Sequence, residues 1–341
     1  MVATKSMPLT APLTQRALAK RCGVHPSTIC LALGNSPAIP ASTRQRIQQL
    51  AAQLGYRPNA AARNLAMLRT ARDGSGQLPL AWINGHAHEN FWRCDPVGFR
   101  LLQSCRARAA ALGYYVDEHW LHQPGMTSRR LTQILRTRGI QGVLLPLDGL
   151  ATTFDPADWK DFSLIALNGR LHGSGIDEVC PDYYNNLDLA LTRLGRDPGQ
   201  LGLVLPRSFD QASSGLMRAR FLHDQHELPM TARTPVCLHA DAPEQARREI
   251  QSWFDRYQPA VVLGRNLRPD LRPGNAIYCD LQTGIGLADA PGLDERLELV
   301  GTAAIDRLTA KIQRFEKGPS DCAQTLLIRG LWRELAVIEA A

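Results

Sequence analysis

Residues 14–33 read TQRALAKRCGVHPSTICLAL, and this stretch predicts two short helices joined by a tight turn. Thr14 is placed to cap the first helix, and Gly23 is placed to end it. Pro26 suits the first turn of the second helix because it lacks the backbone N–H that would have no partner there. A third helix is predicted from Ala41 to Leu54. This order is typical of a helix-turn-helix, although any small helical hairpin with a glycine turn shows similar spacing.

Charge is distributed unevenly along the 341 residues of the chain. Residues 1–72 hold 10 of the 39 Lys and Arg and none of the 32 Asp and Glu, so this end carries a charge of +10. Residues 73–341 hold 29 basic and 32 acidic residues, a net charge of −3. Phosphate would repel an acidic side chain, whereas an ordinary solvated helical bundle mixes both signs. We therefore predict that the basic helices bind nucleic acid and that the body has another task.

Several classes of protein are disfavoured by the sequence. The eight cysteines form no C-x-x-C pair, which argues against structural zinc, and we expect buried free thiols rather than disulfides. There is no signal peptide and no run of about 18 apolar residues, so we expect a cytoplasmic protein that does not engage a membrane. No G-x-S-x-G, H-E-x-x-H or strand-linked G-x-G-x-x-G motif occurs, and His86 and His88 alternate without further ligands. We expect no enzyme activity, cofactor or metal.

The body of the chain alternates apolar runs with helical patterns, which is typical of an α/β fold. Four strands are predicted before Asp182, the first over 78–84, and a second set of helices and strands follows. A strongly patterned helix is predicted over Leu297–Phe315, and a final strand, TLLIRG, begins at Thr325. These elements fit two doubly wound, Rossmann-like lobes.

The run from Thr14 to Ala66 carries a longer pattern. It contains A-x-x-x-G-V-x-x-S-T-I and then T-R-Q-R-I-x-x-L-A-x-x-L-G-Y-R-P-N-A-A-A-R-N-L-A. This run resembles the DNA-binding headpiece of the LacI (lactose repressor) family of bacterial transcription regulators. The resemblance implies a small all-α headpiece plus a two-lobed core like that of periplasmic sugar-binding proteins, and it extends more weakly to the C-terminus. It also implies a homodimer, a double-stranded DNA operator and a small-molecule effector, such as a sugar, between the lobes.

The same resemblance implies a division of the chain. Residues 1–57 would form the headpiece, 58–77 a hinge helix and linker, and 78–341 the core. The first lobe would take about 78–177 and 290–331, and the second about 178–289. The hinge helix, Asn59–Ala66, is too short to hold alone in water, so we expect it to fold on DNA beside a partner copy.

Departures from the family pattern affect which bases the protein would read. His25 stands where most members have Ser, and Cys30-Leu31 stands where they usually have Ser-Arg, so a common guanine reader is missing. Leu31 could touch a thymine methyl instead, Thr28 would contact phosphate, and a charged His25 could meet phosphate. Leu65 matches a wedge that kinks the duplex, with core packing as the alternative. The expected DNA-binding residues are Thr14, His25, Pro26, Ser27, Thr28, Leu31, Arg57, Asn59, Arg63 and Leu65.

Ligands of open α/β folds bind beyond the carboxyl ends of strands. Polar and aromatic residues at those ends are therefore candidates for an effector site, with plain surface loops as the alternative. The family commonly pairs an early helix Arg with a late Asp; here the aligned position is Met217, with Arg218 beside it, and Asp280 comes early. The candidates are Asn84, His86, Phe91, Trp92, Asn168, Arg170, Arg207, Asp210, Arg218 and Asp280.

The resulting prediction is a dimeric, sequence-specific DNA-binding regulator, a repressor, that reads a near-palindrome and responds to an effector. The alternative is a small-molecule sensor whose basic end tethers it to DNA without sequence preference.

Overall fold

The fold was analysed in a computed structural model. The structure describes residues 14–33, 39–54, 56, 77–90, 95–146, 156–169, 173–195, 200–265, 267, 269–272, 274, 276–283 and 292–334. These residues belong to two compact units, one comprising 1–76 with 313–316 and the other 77–312 with 317–341. The predicted hinge helix and seven candidate residues lie outside the described residues: Arg57, Asn59, Arg63, Leu65, Phe91, Trp92 and Arg170.

The N-terminal unit contains the helices expected from the opening stretch. Helix α1 spans Gln15–Cys22, α2 spans Pro26–Leu33 and α3 spans Ala41–Gln53. The Thr14 hydroxyl accepts a hydrogen bond from the Ala17 N–H at 3.2 Å, which satisfies one of the donors that a helix start leaves open. Gly23 follows α1 with φ 66°, a left-handed conformation that glycine adopts without steric cost. The predicted cap, turn and second helix are all confirmed.

Two kinds of contact hold these helices together. Apolar side chains from all three helices form a small core: Leu18, Ala19, Cys22, Ile29, Ala32, Ile47 and Ala51. Helix α3 also binds the ends of the other two helices. Arg46 donates to the Cys22 carbonyl at 3.3 Å, and Gln48 Nε2 donates to the Ala32 carbonyl at 2.9 Å. Because carbonyls at a helix C-terminus lack intrahelical donors, these bonds fix the angle of α2 against α3.

The second unit consists of alternating strands and helices. In chain order they are β1 (Leu78–Asn84), α4 (Pro96–Ala111), β2 (Tyr114–Trp120), α5 (Ser128–Thr137), β3 (Gly142–Pro146), β4 (Ser163–Leu167), β5 (Asp177–Pro181), α6 (Tyr183–Leu194), β6 (Leu201–Pro206), α7 (Arg207–Ala212), α8 (Leu216–His226), β7 (Cys237–His239), α9 (Pro243–Tyr257), β8 (Val261–Gly264), β9 (Ile277–Asp280), β10 (Gly292–Asp294), α10 (Leu297–Arg314), β11 (Thr325–Ile328) and β12 (Leu331–Arg333). The alternation confirms the α/β class.

The strands form two six-stranded sheets, one for each lobe. The first has the order β11-β5-β4-β3-β1-β2, and the second has the order β12-β10-β9-β8-β6-β7. All recorded pairs are parallel except β10 with β12. The chain passes between the lobes after β5, after β10 and between β11 and β12. Parallel strands present their carboxyl ends at one edge of each sheet, where ligands of such folds bind.

The division of the chain between the lobes differs by a few residues from the expected one. Strand β5 continues the first sheet to Pro181, beyond 177, and β10 keeps residues 292–294 in the second sheet, beyond 290. The predicted last strand is confirmed as β11, Thr325–Ile328, and an unpredicted strand, β12, follows it in the other sheet. These segments are short or carry acidic residues, so apolar periodicity does not mark them.

Helix α10 belongs to the first lobe and packs closely on its sheet. A Cβ on Gly142 would lie 2.6 Å from Ile312 Cδ1, so β3 and α10 approach closely where the strand has no side chain. The same helix bonds to α4, where the Ser104 hydroxyl donates to the Glu298 carbonyl at 2.7 Å. One further link is a buried Asp177, which accepts from Lys311 Nζ at 3.1 Å. The lobe is therefore closed by a helix from the far end of the chain.

The described cysteines are free and mostly buried. Burial raises the pKa of Cys105, and it raises the pKa values of Cys237 and Cys279 to about 12. These thiols are therefore poor nucleophiles and behave as small apolar side chains. Within the described ranges, no helix is both long and apolar enough to cross a membrane, and no three His, Cys, Asp or Glu side chains converge as they would on a metal.

Candidate functional site

Helix α2 turns one face inward and leaves another open. Ile29 and Ala32 are buried, whereas Ser27 is exposed, Thr28 is half-buried and Leu31 retains 40% exposure. An exposed leucine is common on protein surfaces, so Leu31 matters here for its place on the same face as the two hydroxyls. The outward face therefore combines two hydroxyls and one branched apolar group, and the fold of the unit does not need it for packing.

His25 caps this helix. The Ser27 N–H donates to His25 Nδ1 at 3.3 Å, and the Ser27 hydroxyl lies 2.8 Å from the same nitrogen. Nδ1 is therefore engaged in the cap, and the exposed ring leaves its other nitrogen, Nε2, for a contact outside the unit.

The surface around α2 carries only positive charge. Arg16, Lys20, Arg21 and Arg46 are exposed, and the first 72 residues contain no carboxylate side chain that could neutralise them. Guanidinium and ammonium groups near a polyanion displace its counterions, which supplies affinity without sequence preference. The N-terminal unit thus presents a basic surface around a helix with a small specific face.

A second cluster lies at the carboxyl edge of the second sheet. Arg265 follows β8 directly, Glu295 follows β10 and Gln282 follows β9, so three strand ends bring them together. The Arg265 guanidinium donates to Glu295, and Gln282 Nε2 donates to the other Glu295 oxygen at 2.8 Å. Arg265 is only 5% exposed and Glu295 only 1%. A buried ion pair of this kind is stable only where both partners are hydrogen-bonded.

Two aromatic rings complete this carboxyl-edge cluster. The Arg265 guanidinium carbon lies 4.0 Å from the centroid of the Phe209 ring, a cation–π contact, and Phe209 meets Tyr183 edge to face at 5.2 Å. Tyr183 begins the first helix of the second lobe. Its hydroxyl lies 3.3 Å from Asn168 Oδ1, and Asn168 follows β4 of the first lobe. The cluster therefore reaches across the two lobes.

Two of the expected effector residues pair with each other beside this cluster. Asp210 is buried, and its Oδ2 lies 3.1 Å from Arg218 NH2. Burial raises the pKa of the Asp210 carboxyl, and the Arg218 charge opposes that rise. Met217 is fully buried in the second-lobe core, so the position that aligns with the family arginine serves packing.

This chain is similar in fold to solved structures of transcription regulators. CelR in complex with cellobiose superposes with a TM-score of 0.55 at 14% identity, covering 94% of this chain and 98% of CelR. The Lac repressor bound to ONPG in the repressed state gives 0.53 at 15% identity, covering 95% and 99%. A LacI-family regulator from Enterococcus faecium with bound ribose gives 0.54 at 13%, covering 75% and 97%.

The chain has the LacI-family fold. The family resemblance drawn from the sequence is thereby confirmed at the level of the fold. No family model matches the chain. A curated relative, described as a probable HTH-type transcriptional repressor, ExuR of Bacillus subtilis, is 37% identical over 79 residues. That match covers 23% of this chain and 23% of ExuR, so it spans under a quarter of the relative's length.

Within the LacI-family fold, the predicted effector residues fall into separate groups. Asn168 and the Asp210–Arg218 pair lie by the second-lobe edge. Asp280 is buried there too, and its Oδ1 accepts from the Gln282 N–H at 3.0 Å. Arg207 binds a different part of the second lobe, where its NH2 donates to the Leu238 carbonyl at 2.7 Å.

Asn84 and His86 organise a loop on the first lobe. Asn84 Nδ2 donates to the Glu89 carbonyl at 2.7 Å, and Asn84 Oδ1 accepts from the His86 N–H at 3.0 Å. Burial, followed by the charge of His88, lowers the pKa of His86. Asn84 is thus largely occupied by its own loop, while His86 is half-buried at the strand end.

The sequence did not reveal the residues of the carboxyl-edge cluster. Each residue of this cluster follows a strand or lies near the start of a helix: Arg265, Gln282, Glu295, Phe209 and Tyr183. A charged residue that follows an apolar strand at once is the one signal that could have indicated Arg265.

Proposed function

We propose that the chain is a LacI-family DNA-binding transcription regulator that represses from an operator and is controlled by an effector between its lobes. The observation that carries the proposal is the stretch of residues 1–72, which contains no acidic residue and includes helix α2 with outward Ser27, Thr28 and Leu31. The fold of the second unit, shared with the Lac repressor and CelR, supports it.

Base reading follows from the exposed face of α2. A helix-turn-helix places the start of its second helix in the major groove, so Pro26 and Ser27 would meet base edges. Ser27 can donate to or accept from a base, and Leu31 suits the methyl group of thymine. Thr28, Thr14 and the exposed ring of His25 would fix the unit on phosphates.

The dimer would set the symmetry of the operator. Two headpieces related by a twofold axis read the halves of a near-palindrome. Arg57, Asn59 and Arg63 would contact DNA around the hinge helix. Leu65 from both copies would enter the centre of the site and bend it.

Effector control would act at the carboxyl-edge cluster. The Glu295–Gln282–Arg265 group is fixed by its own hydrogen bonds, and the half-buried Phe209 ring beside it would meet the apolar side of a sugar ring. Because Glu295 already neutralises Arg265, a neutral polyhydroxy ligand fits better than an acidic one. The sugars named in structures of CelR and the Enterococcus faecium regulator support this class. Since Tyr183 and Asn168 join the lobes, a ligand here would change lobe closure and, through it, the spacing of the headpieces.

In vitro selection from random duplexes tests the proposal. The purified chain should enrich one near-palindromic site, and Leu31→Ala should relax the preference at one position in each half-site. Leu222→Ala is a matched control, since Leu222 is an exposed helical leucine of the second lobe with 44% exposure against 40% for Leu31. Failure to enrich any sequence, with tight binding at low salt, would instead favour a sensor tethered nonspecifically to DNA.

A further inference from the structure

A polar cavity of about 740 Å³ lies on the second lobe, between helix α9 and the turn around residues 269–274. It shares no residue with the carboxyl-edge cluster. Its volume falls within the range of about 300–1,000 Å³ that is typical of small-molecule sites. Three of its nine lining residues are arginines, and the lining comprises Arg247, Arg248, Arg272, Gln251, Ser252, Asp255, Asp270, Leu271 and Gly274.

The carboxylates of the cavity are already engaged. Arg247 donates to the Asp270 carbonyl at 2.8 Å and to its Oδ2 at 3.0 Å, which ties α9 to the turn. Asp255 Oδ1 accepts from Gln251 Nε2 at 2.7 Å. Exposed Arg248 has no carboxylate partner in the part of the chain that the structure describes. Three guanidinium groups against two carboxylates leave the cavity positively charged.

Hydrogen bonds and packing fix the side of the cavity that lies opposite α9. Arg272 Nε donates to the Leu267 carbonyl at 3.0 Å, and its guanidinium lies over the Tyr278 ring, 5.4 Å from the centroid. Gly274 adopts φ 63°, and a Cβ there would lie 2.4 Å from Phe254 Cε1 on α9. Only glycine lets the turn approach this closely, so Arg272 is oriented before any ligand arrives.

We propose that this cavity binds a small oxyanion of the phosphate-monoester type. A guanidinium presents planar donors that match phosphate oxygens, so Arg248 and Arg272 would grip the anion from the two walls. The Ser252 hydroxyl would donate a further hydrogen bond. A phosphorylated metabolite bound here would be a second ligand, separate from any effector between the lobes. The proposal does not depend on DNA binding.

Calorimetric titration of the full chain with inorganic phosphate, without DNA, tests the site. Binding should saturate at one phosphate per chain, and acetate at the same ionic strength should give no saturable signal. Arg248→Glu should weaken phosphate binding by roughly tenfold or more, which corresponds to the loss of one charged contact. Arg272→Gln should weaken it similarly, and circular dichroism would show that the variant is folded.

Arg129→Glu is the matched control, because Arg129 is an exposed helical arginine on the first lobe. It should leave the affinity within about twofold of the original chain. Absence of saturable binding, equal binding of acetate, or equal loss in Arg129→Glu and Arg248→Glu would each overturn the proposal. Since Arg248 is exposed and its replacement disturbs no packing, misfolding would not account for a loss there.

Discussion

Glu295→Gln isolates the charge of the buried pair at the carboxyl edge. The substitution keeps the shape of the side chain and an oxygen that can accept from Gln282 Nε2, now 2.8 Å away. It removes the negative charge that Arg265 faces. The Phe209 ring, 4.0 Å from the guanidinium carbon, is not altered by the substitution, so its cation–π contribution should cancel from the difference.

The expected loss follows from burial. Arg265 is 5% exposed and cannot turn to water without opening the lobe. Removing one partner of such a pair costs roughly 3–5 kcal/mol, because the remaining charge is left buried and uncompensated. Replacing both partners with apolar groups, as in Arg265→Met with Glu295→Leu, should recover most of that loss.

Urea unfolding followed by tryptophan fluorescence measures the loss. The midpoint should fall without a change in slope, since the amount of surface exposed on unfolding stays the same. Asp270→Asn is the control, because its pair with Arg247 is half-exposed and is worth about 0–1 kcal/mol. A loss below about 1 kcal/mol for Glu295→Gln would refute the reasoning, because it would mean that water reaches Arg265.

Three further predictions concern single side chains. Burial alone would raise the pKa of Asp177, but hydrogen bonds from the Gln324 N–H and Lys311, with nearby positive charge, lower it. The stability that ionised Asp177 contributes should therefore be lost as pH falls from about 4 through its folded pKa. In urea titrations, Asp177→Asn should abolish this acid-dependent loss of stability. Burial raises the pKa of Asp210, so its ionised form destabilises the fold at neutral pH. Asp210→Asn should therefore leave the unfolding temperature unchanged or raise it, even though the ion pair with Arg218 is lost. A clear fall in the unfolding temperature would count against this prediction. Thr14→Ala should destabilise the N-terminal unit by about 1 kcal/mol in calorimetry, and no change would mean that the cap is replaced by water.

Local chemistry explains which elements the sequence predicted well. Helix α2 and strand β1 have the predicted bounds, Pro26–Leu33 and Leu78–Asn84. Pro26 determines where α2 begins, and an apolar run determines the bounds of β1.

Strand β5 was missed for a physical reason. Its residues DEVCP begin with two acids, which ordinarily indicate a surface loop. Asp177 is nevertheless buried because Lys311, 134 residues away, supplies the opposite charge. Glu178 likewise accepts from the Thr325 hydroxyl on β11. Partners that arrive from distant segments leave no trace in a local pattern.

Of the two candidate sites, one could be predicted from the sequence and the other could not. The outward face of α2 could be predicted because helical spacing alone decides which residues point away from the core. The carboxyl-edge cluster could not, since Arg265 and Glu295 are 30 residues apart and meet through the order of strands in the sheet. Asp210 and Arg218 were both expected to bind effector, but their contact depends on the turn between α7 and α8.

Binding of the full chain to its selected duplex and to a scrambled duplex, over a series of salt concentrations, tests the central claim most directly. The scrambled duplex should show the steep salt dependence of phosphate contacts, with log K falling by about 0.9 per contact for each unit of log salt. The selected duplex should bind about 10³-fold tighter or more at physiological salt. Equal affinity for the two duplexes across the series would contradict a sequence-specific regulator.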